Sequence, residues 1–265
     1  MSETFVEKYA SFLHQHHMNH SSIPDSDFEK SIIDKSHAYA VQNALFEKLQ
    51  RHNHAIPIGW KVGCTSKMTQ QMSSTDEPFF GRMFKKTTFS QVDTINLSGF
   101  FNPILEPEVG FLMVEDLPPN AAPFSEQDIL KATGGLIPAV EIVDCRYSSG
   151  WPLKILRTIA DNGVHGAFIK GTLRNDWQHI ERAAITLKVE LNGHFETDGL
   201  GANALGDPIQ SVRWLANTCI KYGLNIKAGD FISAGNIANK AVFIKEGDDV
   251  SIDFSSLGKL DIRFT

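Results

Sequence analysis

Ile104-Leu-Glu-Pro-Glu-Val-Gly-Phe-Leu-Met-Val114 is the stretch whose reading decides the fold. In a strand, side chains alternate between faces. Leu105, Val109, Phe111 and Met113 then share one face, and Glu106 and Glu108 project together from the other. Two carboxylates side by side on an apolar strand repel each other and lose hydration. Pro107 between them donates no ladder hydrogen bond, which predicts a sheet edge or an irregular stretch. A divalent cation would reconcile the pair, because hard cations take carboxylate oxygens. The alternative is a solvated strand face.

A second apolar run, Leu136-Ile-Pro-Ala-Val-Glu-Ile-Val-Asp144, holds Glu141 where nothing local favours a charge. Three carboxylates around one Mg2+ or Mn2+ would leave positions open for water or a chelating substrate. Otherwise Glu141 pairs with a nearby Arg or Lys. Lys61 poses the same question inside the Gly-flanked strand Ile58-Gly-Trp-Lys-Val-Gly63. Buried there, it would have a lowered pKa and exchange protons near neutrality; the alternative is a snorkelling side chain. Asp76, in Thr75-Asp-Glu-Pro-Phe-Phe-Gly81, reads alone as a turn residue.

Around these runs the chain divides in character. Residues 1–56 read as a helical N-terminal region and 57–265 as a β-rich domain. Ser26 and Glu29 have capping-box spacing, and Ala38, Val41, Leu45 and Leu49 fall on one helical face. Leu187, Val189 and Leu191 alternate with polar residues before Asn192-Gly193, which predicts a type I′ hairpin. Further strands are expected at 231–234, 250–254 and 260–264. Short helices are expected at 125–133 and 152–160. A longer one is expected with Asp207 as N-cap, Pro208 at its first position and Gly223 after its end. Helices first and mixed strands after predict an α+β fold.

With 265 residues, 42% hydrophobic and 21% charged, the chain can bury a sizeable core. The net charge of −6, with no basic run longer than Lys85-Lys86, speaks against nucleic acid. Cys64, Cys145 and Cys219 form no CxxC pair, so neither a structural zinc site nor a disulfide framework is expected. No basic-then-apolar leader and no membrane-spanning run is seen, which reads as soluble and cytoplasmic. Gly199-Leu-Gly-Ala-Asn-Ala-Leu-Gly206 lacks GxGxxG spacing, and His14, His16, His17 and His20 lack an HExxH pattern. No nucleophile elbow is present.

Six segments together resemble the 2-keto-4-pentenoate hydratase / 4-oxalocrotonate decarboxylase family of the fumarylacetoacetate hydrolase superfamily. They are Gly59-Trp-Lys-Val-Gly-Cys-Thr-Ser66, Asp76-Glu-Pro-Phe-Phe-Gly81, Leu105-Glu-Pro-Glu-Val-Gly-Phe111, Pro138-Ala-Val-Glu-Ile-Val-Asp-Cys-Arg146, Ala160-Asp-Asn162 and Leu205-Gly-Asp-Pro208 with Trp214-Leu-Ala-Asn217. The resemblance runs from about residue 9 to 264. It implies a mixed β-roll with a helical N-terminal part and a homo-oligomer. It places Glu106, Glu108 and Glu141 at the family's metal-ligand positions, and Lys61 and Asp76 at positions for proton transfer and substrate handling. Thr65, Ser66, Asp161 and Asn162 would lie near the pocket. Relatives often continue A-D-N with small or polar residues. Here Val164 and His165 follow Gly163, so His165 either replaces a serine contact or the specificity differs.

The activity so implied is a hydro-lyase of aromatic-compound catabolism. A 2-oxo or 2-hydroxy unsaturated carboxylate chelates the metal, and water adds to a 2-hydroxy-2,4-dienoate through a metal-stabilised enolate, giving a 4-hydroxy-2-oxo acid. Lys61 would shuttle the proton, with Asp76 holding its position or charge. Alternatives are decarboxylation of a 4-oxalocrotonate-type diacid, C–C hydrolysis of an acylpyruvate, and a catalytically silent relative that binds small acids.

Overall fold

Helices α1 (Phe5–Met18) and α2 (Lys35–Asn53) lead the chain, and the computed structural model describes residues 4–25, 31–53, 55–90 and 92–265. Ala38, Val41, Leu45 and Leu49 are all buried, as the helical spacing requires. The expected Ser26–Glu29 capping box lies outside the described residues.

Among the described residues thirteen strands follow. They are β1 (Pro57–Gly63), β2 (Phe79–Phe84), β3 (Thr88–Ser90), β4 (Thr94–Ile95), β5 (Pro103–Met113), β6 (Thr133–Asp144), β7 (His165–Lys170), β8 (Thr186–Leu191), β9 (His194–Leu200), β10 (Phe231–Asn236), β11 (Val242–Phe243), β12 (Asp249–Asp253) and β13 (Lys259–Phe264). Between them lie α3 (Lys67–Met72), α4 (Glu126–Ala132), α5 (Ile155–Ala160) and α6 (Pro208–Cys219).

The larger sheet runs β2-β1-β10-β5-β6-β7-β3, with β11 beside β5; the smaller runs β4-β13-β12-β8-β9. β1–β10, β3–β7 and β4–β13 pair in parallel and the rest antiparallel, so the fold is a mixed α+β roll. β6 is buried along nearly its whole length, which is why it reads as a continuous apolar run. β13 alternates exposed and buried positions, as a sheet with one solvated face demands. Buried side chains from α1, α2 and both sheets join one hydrophobic cluster.

Local chemistry sets several boundaries. Asn192 and Gly193 both have positive φ, 53° and 76°, as the type I′ turn between β8 and β9 requires. Asp207 caps α6 by accepting from Ile209 N at 3.0 Å, and Gly223 closes its end at φ 73°. α5 begins at Ile155, three residues later than expected. Among the described residues no helix is long and apolar enough to cross a membrane.

Pro107 is not at an edge. β5 lies inside the sheet, between β10 with β11 and β6. The irregular stretch is on its neighbour: β10 shifts register between Ser233 and Asn236, opposite Glu108 and Gly110. The Pro107 carbonyl accepts from Ile237 N at 2.9 Å, so the missing N–H faces the same side, where the ladder is already broken.

Candidate active site

Register builds the site. β5 and β6 pair so that Glu106 stands directly opposite Glu141, with Glu108 two residues along the same face. One oxygen of each carboxylate lies within 4.8 Å of the others. Lys61 comes from β1, two strands beyond β5. It is 1% exposed, so it does not snorkel.

Glu108 and Glu141 are each held by hydrogen bonds to one oxygen. Glu108 Oε2 accepts from Ser233 Oγ at 2.5 Å and from Gly235 N at 2.7 Å. Glu108 Oε1 is buried with no partner. Glu141 Oε1 lies 2.8 Å from His165 Nδ1. Its Oε2 is 2.9 Å from Lys61 Nζ but lacks hydrogen-bond alignment, while Nζ donates to Gly163 O at 3.0 Å. Gly235 is needed here. At φ 101° it turns its N–H to Glu108, and a Cβ would stand 2.2 Å from Thr65 Oγ1.

Burial, then Glu141 and Glu106, push the Glu108 carboxyl well above its usual range. Burial raises Glu106 to about 7 against the pull of Lys61. Burial would also raise Glu141, but Lys61 and then His165 hold it below the ordinary value. For Lys61 the expected lowering does not occur: burial acts downward, yet Glu141, Glu106 and Glu108 outweigh it and keep the ammonium charged. Three carboxylates face one ammonium, and the raised Glu108 and Glu106 show that the site resists holding all three charges unaided. The unsatisfied Glu108 Oε1, the poorly aligned Glu141 Oε2, the all-oxygen donor set and this resistance fit a hard divalent cation.

A cavity of about 340 Å3 opens above Glu106 and Lys61. Thr65 and Ser66 line it, and Ser66 also caps α3. Its walls are largely apolar, with Met68, Ile104, Val143 and Leu153 among them. The other expected site residues sit elsewhere. Asp76 is at the surface, its side chain 99% exposed and 3.7 Å from Lys35. The polar partners of Lys61 are Glu141 and Gly163 instead.

Asp161 accepts from Arg146 Nη2 at 2.9 and 3.0 Å and lies 2.7 Å from His17 Nε2. Asn162 pairs with both backbone groups of Arg82, at 2.8 and 2.9 Å. Neither lines this cavity, and Asn162 lines a second one. His165 contacts Glu141 and faces that second cavity. Ser233, Gly235, Gly163 and Asn236 complete the site unannounced. Ser233 carried a usable signal, a polar side chain in the apolar run Phe231-Ile-Ser-Ala234.

The fold is thus a mixed β-roll whose two central strands carry a carboxylate trio beside a cavity. The family pattern described as "Fumarylacetoacetate (FAA) hydrolase C-terminal" matches residues 63–265. The chain belongs to that family, on the branch of 2-keto-4-pentenoate hydratases and 4-oxalocrotonate decarboxylases. It is 30% identical to the 2-keto-4-pentenoate hydratase of Paraburkholderia xenovorans over 227 residues, 86% of this chain and 82% of that one. It is 33% identical to the 2-hydroxyhexa-2,4-dienoate hydratase of Comamonas testosteroni over 78% of each. Among solved structures, 4-oxalocrotonate decarboxylase from Pseudomonas putida G7, complexed with magnesium and adipate, superposes with a TM-score of 0.90 at 25% identity. That match covers 98% of this chain and 97% of the other.

Proposed function

We propose that the protein is a hydro-lyase that adds water to a 2-hydroxy-2,4-dienoate with Mg2+ or Mn2+ bound by Glu106, Glu108 and Glu141. The convergence of three carboxylates, with Glu108 and Glu141 buried and Glu106 lining a mostly apolar cavity, carries this reading. Held by these three glutamates, a divalent cation would supply Lewis acidity to the bound acid. Lys61 Nζ holds a proton beside that trio, fixed by Glu141 and the Gly163 carbonyl. It delivers the proton to the terminal diene carbon and recovers the one that the C2 hydroxyl gives up as the enol becomes a ketone. Water then adds its oxygen at C4 and a proton at C3, giving the 4-hydroxy-2-oxo acid. Ile104, Val143 and Leu153 hold the apolar tail and limit access of bulk water. The protein is proposed to act as a homo-oligomer in the cytoplasm.

A second reading, decarboxylation of a 2-oxo diacid, is favoured by the 0.90 TM-score with the decarboxylase. Lys240 at the cavity could meet a distal carboxylate, but it pairs with Glu196 at 3.1 Å. The apolar walls favour the monoacid. Purified protein with Mg2+ should bleach the near-ultraviolet band of 2-hydroxypenta-2,4-dienoate without releasing CO2, and EDTA should stop it. Unchanged turnover in Glu106→Gln, Glu108→Gln and Glu141→Gln alike would end this assignment.

A further inference from the structure

Residues 162–164 form a run of left-handed backbone. Asn162, Gly163 and Val164 have φ of 51°, 66° and 51°. For a β-branched residue such as Val164, which is also buried, this is costly and persists only where the surroundings impose it. The run is pinned at its start. Asp161 is tied to Arg146 and His17, and Asn162 is clamped to the backbone of Arg82.

The run delivers two groups to the site. The Gly163 carbonyl accepts from Lys61 Nζ, and His165 Nδ1 meets Glu141 Oε1. Gly163 passes so close that a Cβ would stand 3.2 Å from Lys61 Cδ and 2.8 Å from the Phe79 ring. Glutamate's last torsion is broad, so backbone and rotamer alone do not orient the Glu141 carboxylate. His165 grips one oxygen and leaves the other, Oε2, toward Lys61 and the carboxylate cluster. Its Nε2 is 3.4 Å from Thr87 Oγ1. On this side lies a second cavity of about 450 Å3, which His165 lines and Glu141 does not.

We propose that the strained turn at 162–164 exists to aim the Lys61–Glu141 pair, and that His165 is the positioning residue that orients Glu141 toward the cation. This deepens the reading of Glu106, Glu108 and Glu141 as metal ligands and rests on it. His165 therefore belongs to the metal site as a partner of a ligand and not to the substrate pocket. Groups that hydrogen-bond a ligating carboxylate typically support metal affinity by about 10–100-fold.

The test is Mn2+ binding to the whole protein, read from the electron paramagnetic resonance of the free ion. His165→Ala should weaken binding about tenfold or more, with the thermal midpoint tracked in parallel. His165→Asn places an amide nitrogen where Nδ1 stood and should recover affinity to within about threefold of wild type. His165→Gln carries its nitrogen one bond further and should stay near the alanine value. The Asn–Gln contrast keeps the test alive if the alanine variant does not fold. Affinity in His165→Ala within twofold of wild type would overturn the proposal, as would a folded His165→Asn no better than His165→Gln. If Glu108→Gln abolishes Mn2+ binding while the His165 series is flat, only this inference fails. If Glu108→Gln binds Mn2+ normally, the metal-site reading itself fails.

Discussion

Lys61 shows what one misplaced charge can reveal. A lysine in a Gly-flanked apolar strand is either a snorkelling stem or a group with a task, and full burial beside Glu141 removes the first. Replacing it with methionine keeps the apolar stem and removes the proton. Turnover by Lys61→Met should fall about 100-fold or more, the usual worth of a placed general acid. Metal affinity should hold or rise, because the variant removes the ammonium that competes with a cation for Glu141. Calorimetric Mg2+ titration beside kcat separates the roles: loss of both together would mean that Lys61 only props Glu141. The carboxylate trio was legible for the same reason as Lys61, since period-two spacing and apolar neighbours make a charge conspicuous. Asp161, Asn162 and His165 were less so. Their partners, Arg146, His17, Arg82 and Glu141, arrive from other elements, so local sequence could not distinguish scaffold from pocket.

Strands β5 and β6 were visible as apolar runs, and the hairpin and α6 as turn and cap chemistry. Their pairing was not. β1 runs parallel to β10, setting Lys61 against Ser233, and no local period records a contact across that separation. Pro107 suggested an edge because a missing donor is usually placed there; the bulge in β10 achieves the same inside the sheet. Long-range pinning has a consequence for pH. His17, from α1, meets Asp161 at the end of α5 together with Arg146. Burial, then Arg146, hold the His17 ring below its ordinary value, with Asp161 opposing and His14 adding slightly. The folded ring thus binds fewer protons than the unfolded one, so stability present above about pH 6.5 is lost as pH falls below it. Burial would raise Asp161, but Arg146 and His17 hold it lower, so its contribution survives until pH drops below about 3.9. Glu106 and Glu108, both raised by burial, act in the opposite direction over this range, so the His17 contribution is read as a difference: the thermal midpoint of wild type relative to His17→Gln should fall between pH 7.5 and 5.5. Parallel slopes in the two proteins would remove His17 as the cause.

At the scale of the whole molecule, three anions at the centre of the larger sheet are a local violation that the rest of the fold sustains. Proteins break their own patterning rules mostly where function demands it, and here the demand has a thermodynamic signature. Without a cation the trio opposes folding, because burial and mutual repulsion act on Glu108 and Glu106. With one it supports folding through mass action: ligand at 100 times Kd adds about 2.7 kcal/mol. For a chain of this size that is a rise of about 5–10 °C in thermal midpoint. EDTA should remove it. Glu108→Gln replaces a repelled carboxylate with a neutral amide whose oxygen can still accept from Ser233 and Gly235. Its metal-free midpoint should therefore equal or exceed that of metal-free wild type, while the gain on adding Mg2+ disappears. A structural ion-pair network behaves in the opposite way. Losing one member would lower the midpoint with or without Mg2+, and scanning calorimetry of the two proteins in EDTA and in Mg2+ distinguishes the cases.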